Sequence, residues 1–281
     1  MFGVDRVSFS VLISIYKDES PVHLQVALES IWQEQSVKPS QIVIVKDGPL
    51  TPQLECVLSV WKKNLGSVVK CVAFSKNCGL GEALKAGLEA CQYDLVARMD
   101  TDDVASPERF ERQFEYLKSH PEVDILGSFV QEMTYSGEMV GIRKTPVAHE
   151  EVVSCLWASP MIHPSIMMRR SSVLLAGNYD ARYRRRQDYE LWFRCAEKGL
   201  RFYNLPEPLL YYRFGQHTHR KQSPKLALEQ AVIGYKGSKR LKMPIVKRLA
   251  CFIPFIRSLL PTSLQHAMYK VLIPFDPRRR P

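Results

Sequence analysis

The sequence predicts an α/β protein with a mostly parallel central sheet and helices on both faces. Four apolar, strand-like runs alternate with helical patterns in the first 120 residues, which is the order of a parallel sheet built from β-α units. Small or polar residues follow several of these runs, at the sheet edge where open α/β proteins bind ligands. The 281 residues, 46% of them hydrophobic and 24% charged, suffice for one large domain or one domain plus an appendage.

The elements of the first half follow from periodicity and turn signals. The first strand is β-branched and ends at a polar turn, and Pro21 begins a helix whose apolar face carries Leu24, Leu28 and Ile31. The turn after the second strand is marked by Asp47-Gly48-Pro49. The predicted strands are 7–15, 41–45, 68–74 and 94–99, and the later helices are 54–61 and 79–91.

The second half is less regular. Strands of a mixed sheet are predicted over 124–133, 141–144, 165–169 and 209–214, with an amphipathic helix over 188–198. From Pro224 the pattern is helical, and four later prolines, at 244, 254, 261 and 274, divide it into short pieces. A boundary near residue 220 is expected, with a helical, basic and apolar segment over 221–281.

An acidic cluster follows the fourth strand: Asp100, Asp102 and Asp103 lie within four residues. Folding does not require this charge, because Ser106 can cap the next helix and Pro107 can be its first residue. Crowded carboxylates repel one another unless a cation offsets them, and hard divalent cations prefer oxygen ligands. The first hypothesis is a metal that holds a phosphorylated substrate.

A second polar loop, Asn77 to Gly81, precedes the third helix. Glycines at 79 and 81 would let backbone N–H groups approach an anionic or ribosyl group. Helix capping explains the same glycines equally well. Ligand contact is favoured because this loop, the Ser14–Tyr16 segment, Asp47 and the acidic cluster all converge on one sheet edge.

The order of these motifs resembles the family 2 glycosyltransferases, which have a GT-A fold with a Rossmann-type sheet. The resemblance covers roughly residues 7–220, including the opening strand, Asp47 after the second strand, the Asn-x-Gly loop and Asp100-Thr101-Asp102 as the family's DxD motif. It implies that Asp47 and Asp100 hold the nucleoside, while Asp102 binds a divalent Mn²⁺ or Mg²⁺ on the diphosphate. The implied donor-binding residues are Ser14, Tyr16, Asp47, Asn77, Gly79, Gly81, Lys85, Arg98, Asp100 and Asp102. Lys46 and Lys85 depart from the family pattern, where an acidic residue and Asn are common.

The start of the predicted 188–198 helix resembles the family's Glu-Asp motif, whose Asp is the catalytic base. Gln187 replaces the Glu, which leaves Asp188 to take the acceptor hydroxyl's proton. The alternative is a helix N-terminal acid that complements the helix dipole.

Several further residues are candidates for the acceptor or diphosphate side: His163, Gln187, Arg213 and His217. His163 resembles a family position that lines the acceptor site, but an interior histidine is the equal alternative. Arg213, His217 and His219 are predicted in a polar loop that could close over the diphosphate, and either histidine could complete the metal shell; a solvated loop is the alternative. The basic run 182–186 suits an anionic acceptor or solvent.

Composition excludes several classes. Seven scattered cysteines without a CxxC pair argue against a disulfide framework or structural zinc and for a reducing cytoplasm. No signal peptide and no transmembrane helix are predicted. The net charge of +10 belongs to residues 231–281, where basic residues flank an apolar run that is too short to span a bilayer. A peripheral site on the cytoplasmic face of the inner membrane is favoured over a packed helix or nucleic-acid binding.

The resemblance therefore implies an inverting, metal-dependent transferase. It would move a hexose from a nucleotide sugar (UDP-glucose, UDP-galactose or an N-acetyl derivative) to a lipid-diphosphate-linked saccharide in cell-surface polysaccharide synthesis, as in O-antigen assembly. A sugar-phosphate nucleotidyltransferase is an alternative, but the loop 16–21 lacks the expected glycine. A non-catalytic, membrane-surface nucleotide-binding protein is another, against which the carboxylates at 100, 102 and 188 argue.

Overall fold

The computed structural model describes residues 7–214 and 223–260. Within them a single nine-stranded sheet has the order β3-β2-β1-β4-β8-β6-β9-β5, with β7 paired to β6. The strands are β1 Ser10–Ile15, β2 Gln41–Lys46, β3 Val69–Ala73, β4 Leu95–Met99, β5 Val104–Ala105, β6 Ile125–Met133, β7 Met139–Arg143, β8 Met167–Arg169 and β9 Phe202–Arg213. The helices are α1 Pro21–Trp32, α2 Pro52–Leu65, α3 Leu80–Ala90, α4 Arg109–Ser119, α5 His149–Ser154, α6 Arg170–Leu175, α7 Gln187–Glu197, α8 Pro224–Arg240, α9 Ile245–Ala250 and α10 Ile253–Ser258.

The first four strands are parallel neighbours, as predicted. β1 pairs with both β2 and β4, and β2 pairs with β3. Alternate residues of β1 face opposite layers: Val11 and Ile13 join the core under α1 and α2, whereas Leu12 joins the core under α3. This two-residue alternation gives both faces of the sheet an apolar surface for helices. The parallel pairing brings the carboxyl ends of all four strands to one edge.

The second half of the sheet is mixed. β8 is antiparallel to β4 and to β6, while β9 runs parallel to β6 and antiparallel to β5. The predicted strand 209–214 is too short, since β9 begins at Phe202. Pro206 and Pro208 interrupt the strand pattern in its first half, because proline is rare inside strands. The pairing of β9 with β6 shifts register beside Pro208.

The predicted start of the fourth helix is wrong. α4 begins at Arg109 with no side-chain cap, not at Pro107 with Ser106 as cap. Ser106 instead continues the pairing of β5, because its N–H donates to the Leu209 carbonyl at 3.0 Å and its own carbonyl accepts from Gln35 Nε2 at 2.7 Å. Tertiary hydrogen bonds have overridden a local capping preference.

Helix α8 packs directly on the preceding body. A Cβ at Gly237 would lie 2.2 Å from the Phe193 ring, and one at Gly234 would lie 2.4 Å from the Tyr189 hydroxyl. Both positions need glycine because α8 and α7 approach so closely. Across the described residues, every helix is too short or too polar to cross a bilayer.

Candidate functional site

The predicted residues that follow β1, β2 and β4 meet at the carboxyl edge of the parallel strands. Ser14 lies half-buried in β1, and Tyr16 follows its end. Burial raises the pKa of Tyr16; the charges of Glu19, Asp18 and Asp102 also raise it, while Arg185 lowers it. The Tyr16 phenol is thus within electrostatic range of both the acidic cluster and the basic run 182–186.

Asp47 holds the Asn77–Gly79 loop. Its carboxylate accepts hydrogen bonds from Asn77 Nδ2 at 2.9 Å, from the Cys78 N–H at 2.6 Å and from the Gly79 N–H at 2.9 Å. Residue 48 must be glycine, since a Cβ there would lie 2.7 Å from the Asn77 backbone nitrogen. A buried carboxylate at the end of β2 therefore sets the shape of the loop that begins α3.

The two loop glycines, Gly79 and Gly81, lie against residues 180–184. We call residues 180–186 the arginine segment, because it contains four arginines. Gly79 is the N-cap of α3 with φ of 97°, so the capping explanation applies to it. A Cβ at Gly79 would lie 3.0 Å from Arg184 Cγ, and one at Gly81 would lie 2.3 Å from the Tyr183 carbonyl oxygen. Close approach of two backbones is what these positions require.

The acidic cluster is a compact set of oxygen ligands. One carboxylate oxygen from each of Asp100, Asp102 and Asp103 lies within 4.8 Å of the others. Burial and the charge of Asp100 raise the pKa of Asp102 to about 6. Burial, with the charges of Asp100 and Asp102, raises the pKa of Asp103 well above its ordinary value. These groups would release protons more readily if a cation occupied the space between them.

Arg98 is the counterion of the cluster. Its guanidinium is 1% exposed, and Nη1 makes an ion-pair contact with Asp100 Oδ1. Its Nε has no hydrogen-bond partner among the described residues, and neither has Asp103 Oδ2. Buried polar atoms without partners are rare, and a water, an ion or a ligand can supply the bond that such an atom lacks.

The cluster fits a hard divalent cation. It supplies three carboxylates at one strand end, one of them with an unpartnered buried oxygen, and oxygen ligands are what Mg²⁺ and Mn²⁺ prefer. Asp102 and Asp100 are the more accessible members, since both are half-buried and Asp103 is fully buried. The residues therefore fit the metal that the sequence implies.

Arg213 lies elsewhere than predicted. It is the last residue of β9, not part of the following loop. Its N–H donates to Asp103 Oδ1 at 2.8 Å, and its guanidinium donates to the main-chain carbonyls of Asp102, Thr134 and Tyr135. These bonds tie the acidic loop to β9 and the β6–β7 hairpin, so Arg213 is occupied in holding the site. His217 and His219 lie outside the described residues.

Asp188 is in the first turn of α7. Burial raises its pKa, and the charges of Arg186 and Arg98 lower it. Gln187, the first residue of α7, is buried, and its Oε1 has no partner in the described part of the chain. The residue before it, Arg186, has a left-handed φ of 62°, which is uncommon for a side chain of this size.

His163 is an interior residue. It is 7% exposed, its Nε2 lies 2.8 Å from the Tyr179 hydroxyl, and its ring packs edge-on against Trp192. Burial and the charge of Arg98 hold its pKa well below the usual value. His163 is therefore the interior histidine that the sequence analysis gave as the alternative to an acceptor-site residue, and it contacts Tyr179.

Lys85 lies one turn into α3. Its carbonyl accepts from Asn178 Nδ2 at 3.2 Å, and this contact links α3 to the chain that leads into the arginine segment. Its side chain is half-buried.

Sequence reasoning missed three residues of the site. Tyr179 contacts His163, and the charges of Arg98 and Asp188 act on its phenol. Tyr212 is close enough for Asp103, Asp100 and Asp102 to raise its pKa, after the larger effect of burial. Fully buried Arg109 donates to the carbonyls of Arg98 and Pro164, each at 2.8 Å. The only sequence signal for any of the three was Arg109 itself, which follows the acidic cluster by six residues.

Comparison with known proteins agrees with this geometry. Residues 10–177 match the model of the family described as "Glycosyl transferase family 2". The amylovoran biosynthesis glycosyltransferase AmsE of Erwinia amylovora is 36% identical over 93% of this chain and 98% of its own length. An Escherichia coli UDP-Gal:alpha-D-GlcNAc-diphosphoundecaprenol beta-1,3-galactosyltransferase is 31% identical over 96% of this chain and 98% of its own length.

Solved structures support the fold. The crystal structure of Staphylococcus aureus TarS residues 1–349 in complex with UDP-GlcNAc superposes with a TM-score of 0.67 at 17% identity, covering 90% of this chain and 72% of that one. The complex of the same protein with UDP gives 0.68 at 15% identity, covering 95% and 79%. The predicted α/β fold of GT-A type is confirmed.

Proposed function

The chain belongs to glycosyl transferase family 2 and is a glycosyltransferase, and from this premise we propose that it transfers a hexose, with inversion, from a UDP-sugar to a hydroxyl of a lipid-diphosphate-linked saccharide. The observation that carries the proposal is the position of Arg98. This one buried guanidinium acts electrostatically on Asp100, Asp102, Asp103 and Asp188. The acidic cluster and the expected base are thus within electrostatic range of the same side chain.

The chemistry follows from these positions. The acceptor oxygen attacks the anomeric carbon, its proton passes to the Asp188 carboxylate, and the bond from the anomeric carbon to the diphosphate oxygen breaks with its electron pair leaving on UDP. A raised pKa makes Asp188 a stronger proton acceptor than an exposed aspartate. Direct displacement inverts the anomeric configuration and needs no covalent intermediate on the protein.

Donor binding is assigned to the sheet edge. Asp102 would hold a divalent cation, which when bound neutralises charge on the diphosphate, and Asp100 beside it would contact the nucleoside. Tyr16 and the Asn77–Gly79 loop, which Asp47 orders, line the same edge. The E. coli relative is named for a UDP-galactose donor and a diphosphoundecaprenol-linked acceptor, and this supports the corresponding classes here.

The test is a donor and acceptor panel. Purified protein with Mn²⁺ is given UDP-glucose, UDP-galactose or their N-acetyl derivatives, plus a GlcNAc-diphosphate-lipid, and UDP release is followed. We expect turnover with one donor and a loss of about 10³-fold or more in kcat for Asp188→Asn, within the range that removal of a general base costs. The matched control is Asp18→Asn, which removes an exposed carboxylate at the same edge of the sheet. Equal activity of Asp188→Asn and wild type would contradict the proposal.

A membrane-surface position on the cytoplasmic side completes the proposal. In α9, in α10 and at the residue after α10, six large apolar side chains are 37–73% exposed: Ile245, Val246, Leu249, Ile253, Ile256 and Leu259. Basic residues lie between them at 247, 248 and 257. Apolar side chains flanked by basic ones suit an anionic lipid surface, where the acceptor's lipid would reside.

Vesicle sedimentation tests the membrane assignment. Leu249→Glu together with Ile256→Glu should abolish sedimentation with phosphatidylglycerol vesicles, because each places a charge among lipid-facing side chains. Leu175→Glu is the control, since Leu175 is 83% exposed on α6. Undiminished sedimentation of the double variant, or of a chain truncated after Leu241, would remove this part of the proposal.

A further inference from the structure

We infer that the arginine segment is a second diphosphate site, in which Arg185 and Arg186 bind the diphosphate of the acceptor. This inference rests on the proposed function and names the recognition element for its acceptor. The segment links the donor loop to the base: Arg184 donates to Asn77 Oδ1, and Arg186 is two residues before Asp188.

The four arginines of the segment differ in their partners. Arg182 is paired with Asp180, to which Nη2 and Nε donate at 2.6 and 3.0 Å. Arg184 is tied to Asn77 and packs over Gly79. Within residues 7–214 and 223–260, no carboxylate lies at ion-pair distance from Arg185 or Arg186. Two guanidinium groups therefore remain available for an anion.

These two arginines are within electrostatic range of the predicted site. Arg185 lowers the pKa of Tyr16, which the charge of Asp102 raises. Arg186 lowers the pKa of Asp188. The two arginines therefore precede the base in the chain, and the segment that carries them is hydrogen-bonded through Arg184 to the Asn77–Gly79 loop at the donor edge.

Packing against α3 fixes the backbone of the arginine segment. Gly81 lets the Tyr183 and Asp180 carbonyls lie against the start of α3, since a Cβ there would be 2.3 and 3.0 Å from them. On the other side, Arg194 donates to the Ala176 and Asn178 carbonyls at 2.7 Å. Arg186 itself is held at φ of 62°, a left-handed conformation that is uncommon for a residue with a Cβ. Backbone strain of this kind persists only where the surrounding structure holds the residue in place, and strained residues cluster at active sites and ligand-binding sites.

Diphosphate is the anion that fits best. Guanidinium groups bind phosphate oxygens in pairs, and adjacent arginines can each take one phosphate group. The donor also carries a diphosphate, but the acidic cluster with its cation already serves that group. The arginines beside Asp188 are left for the anionic part of the molecule whose hydroxyl Asp188 deprotonates.

Equilibrium binding separates the two sources of diphosphate. Undecyl diphosphate is titrated into the protein saturated with Mn²⁺ and UDP, so that the donor site is filled, with undecanol as the uncharged reference. Arg185→Gln and Arg186→Gln should each weaken binding of undecyl diphosphate about 10- to 100-fold, the cost of one charge-assisted contact. Arg186→Lys should restore part of it, and Arg182→Gln, the matched control, should change it by less than about twofold.

The other outcomes overturn the inference. Equal losses in all three glutamine variants would mean diffuse charge attraction. Weaker binding of UDP with unchanged binding of undecyl diphosphate would assign the segment to the donor, and no change in either would make it a solvated surface. Binding is read without turnover, so a protein that binds undecyl diphosphate through Arg185 and Arg186 yet transfers no sugar would refute the proposed function alone.

Discussion

Replacing Asp47 with Asn separates two roles that this residue could have. In the structure, its 5% exposed carboxylate accepts three hydrogen bonds from the Asn77–Gly79 loop. Asn can accept at one position only, and its NH₂ group then faces a donor at the other. At least one loop donor, such as the buried Gly79 N–H, loses its acceptor, and charge assistance is lost from the rest.

The magnitude follows from these contacts. One unsatisfied buried donor costs about 1–3 kcal/mol, and the loss of charge assistance adds about 1 kcal/mol. We therefore expect Asp47→Asn to lower the free energy of unfolding by about 2–4 kcal/mol, which for a chain of this size is a fall in Tm of roughly 5–12 °C. Asn77 should move with the loop, so the Kd for UDP should also rise.

The assay is thermal unfolding with and without Mn²⁺ and UDP, beside UDP binding by calorimetry. Asp18→Asn is the control, because Asp18 is an exposed acid at the same edge. If Asp47→Asn unfolds within about 1 °C of wild type but binds UDP poorly, Asp47 acts on the nucleoside directly and not through the loop. That result would refute the reasoning from its three hydrogen bonds.

Three further predictions concern the cation, the arginine segment and the interior. Burial raises the pKa of Asp102 to about 6, so lowering the pH from 7.5 to 5.0 protonates this carboxylate. Binding of Mn²⁺, measured by electron paramagnetic resonance, should then weaken about tenfold or more. The Asp102→Asn variant should bind Mn²⁺ weakly at both pH values, with little pH dependence. Gly81→Ala drives a Cβ to 2.3 Å from the Tyr183 oxygen and should raise the acceptor KM several-fold, while Gly141→Ala, with open space around it, should leave KM unchanged; equal KM values would contradict the close approach. Arg109→Met leaves two buried carbonyls without a donor and should lower the unfolding free energy by about 3 kcal/mol in urea denaturation, and a loss below about 1 kcal/mol would show that those bonds contribute little.

Much of the fold could be predicted because its information is local. The burial of β1 and β2 on both faces is visible as β-branched runs, and Pro21 and Pro52 stand at the true starts of α1 and α2. Chain order alone then fixes a parallel sheet with the acidic cluster at its edge. The same reasoning could not see β5, which has two residues and exists only because Val104 and Ala105 pair with β9.

The site was less predictable because its decisive contacts are distant in sequence. Arg213 was expected to be mobile and is instead held by carbonyls more than seventy residues away in the chain. Asp47 was assigned to a ligand, and the structure shows its carboxylate bonded to a loop thirty residues later. A residue type can indicate that a polar group is needed at a sheet edge, but which protein atoms already satisfy that group depends on tertiary packing.

The balance of charge around the acidic cluster explains why a loop so costly to fold is kept. Three carboxylates face two guanidinium groups, Arg98 and Arg213, and the second is mostly engaged with main-chain carbonyls. Burial raises the pKa of Asp102 and Asp103, so ionising these two groups in the folded chain at neutral pH costs stability relative to exposed aspartates. The Arg98–Asp100 ion pair and the Arg213 N–H bond to Asp103 offset part of this cost, but Arg98 Nε and Asp103 Oδ2 have no partners in the described structure. A bound cation and an anionic ligand would satisfy both deficits together, which is the physical reason for assigning the cluster to a charged substrate and not to the stability of the fold.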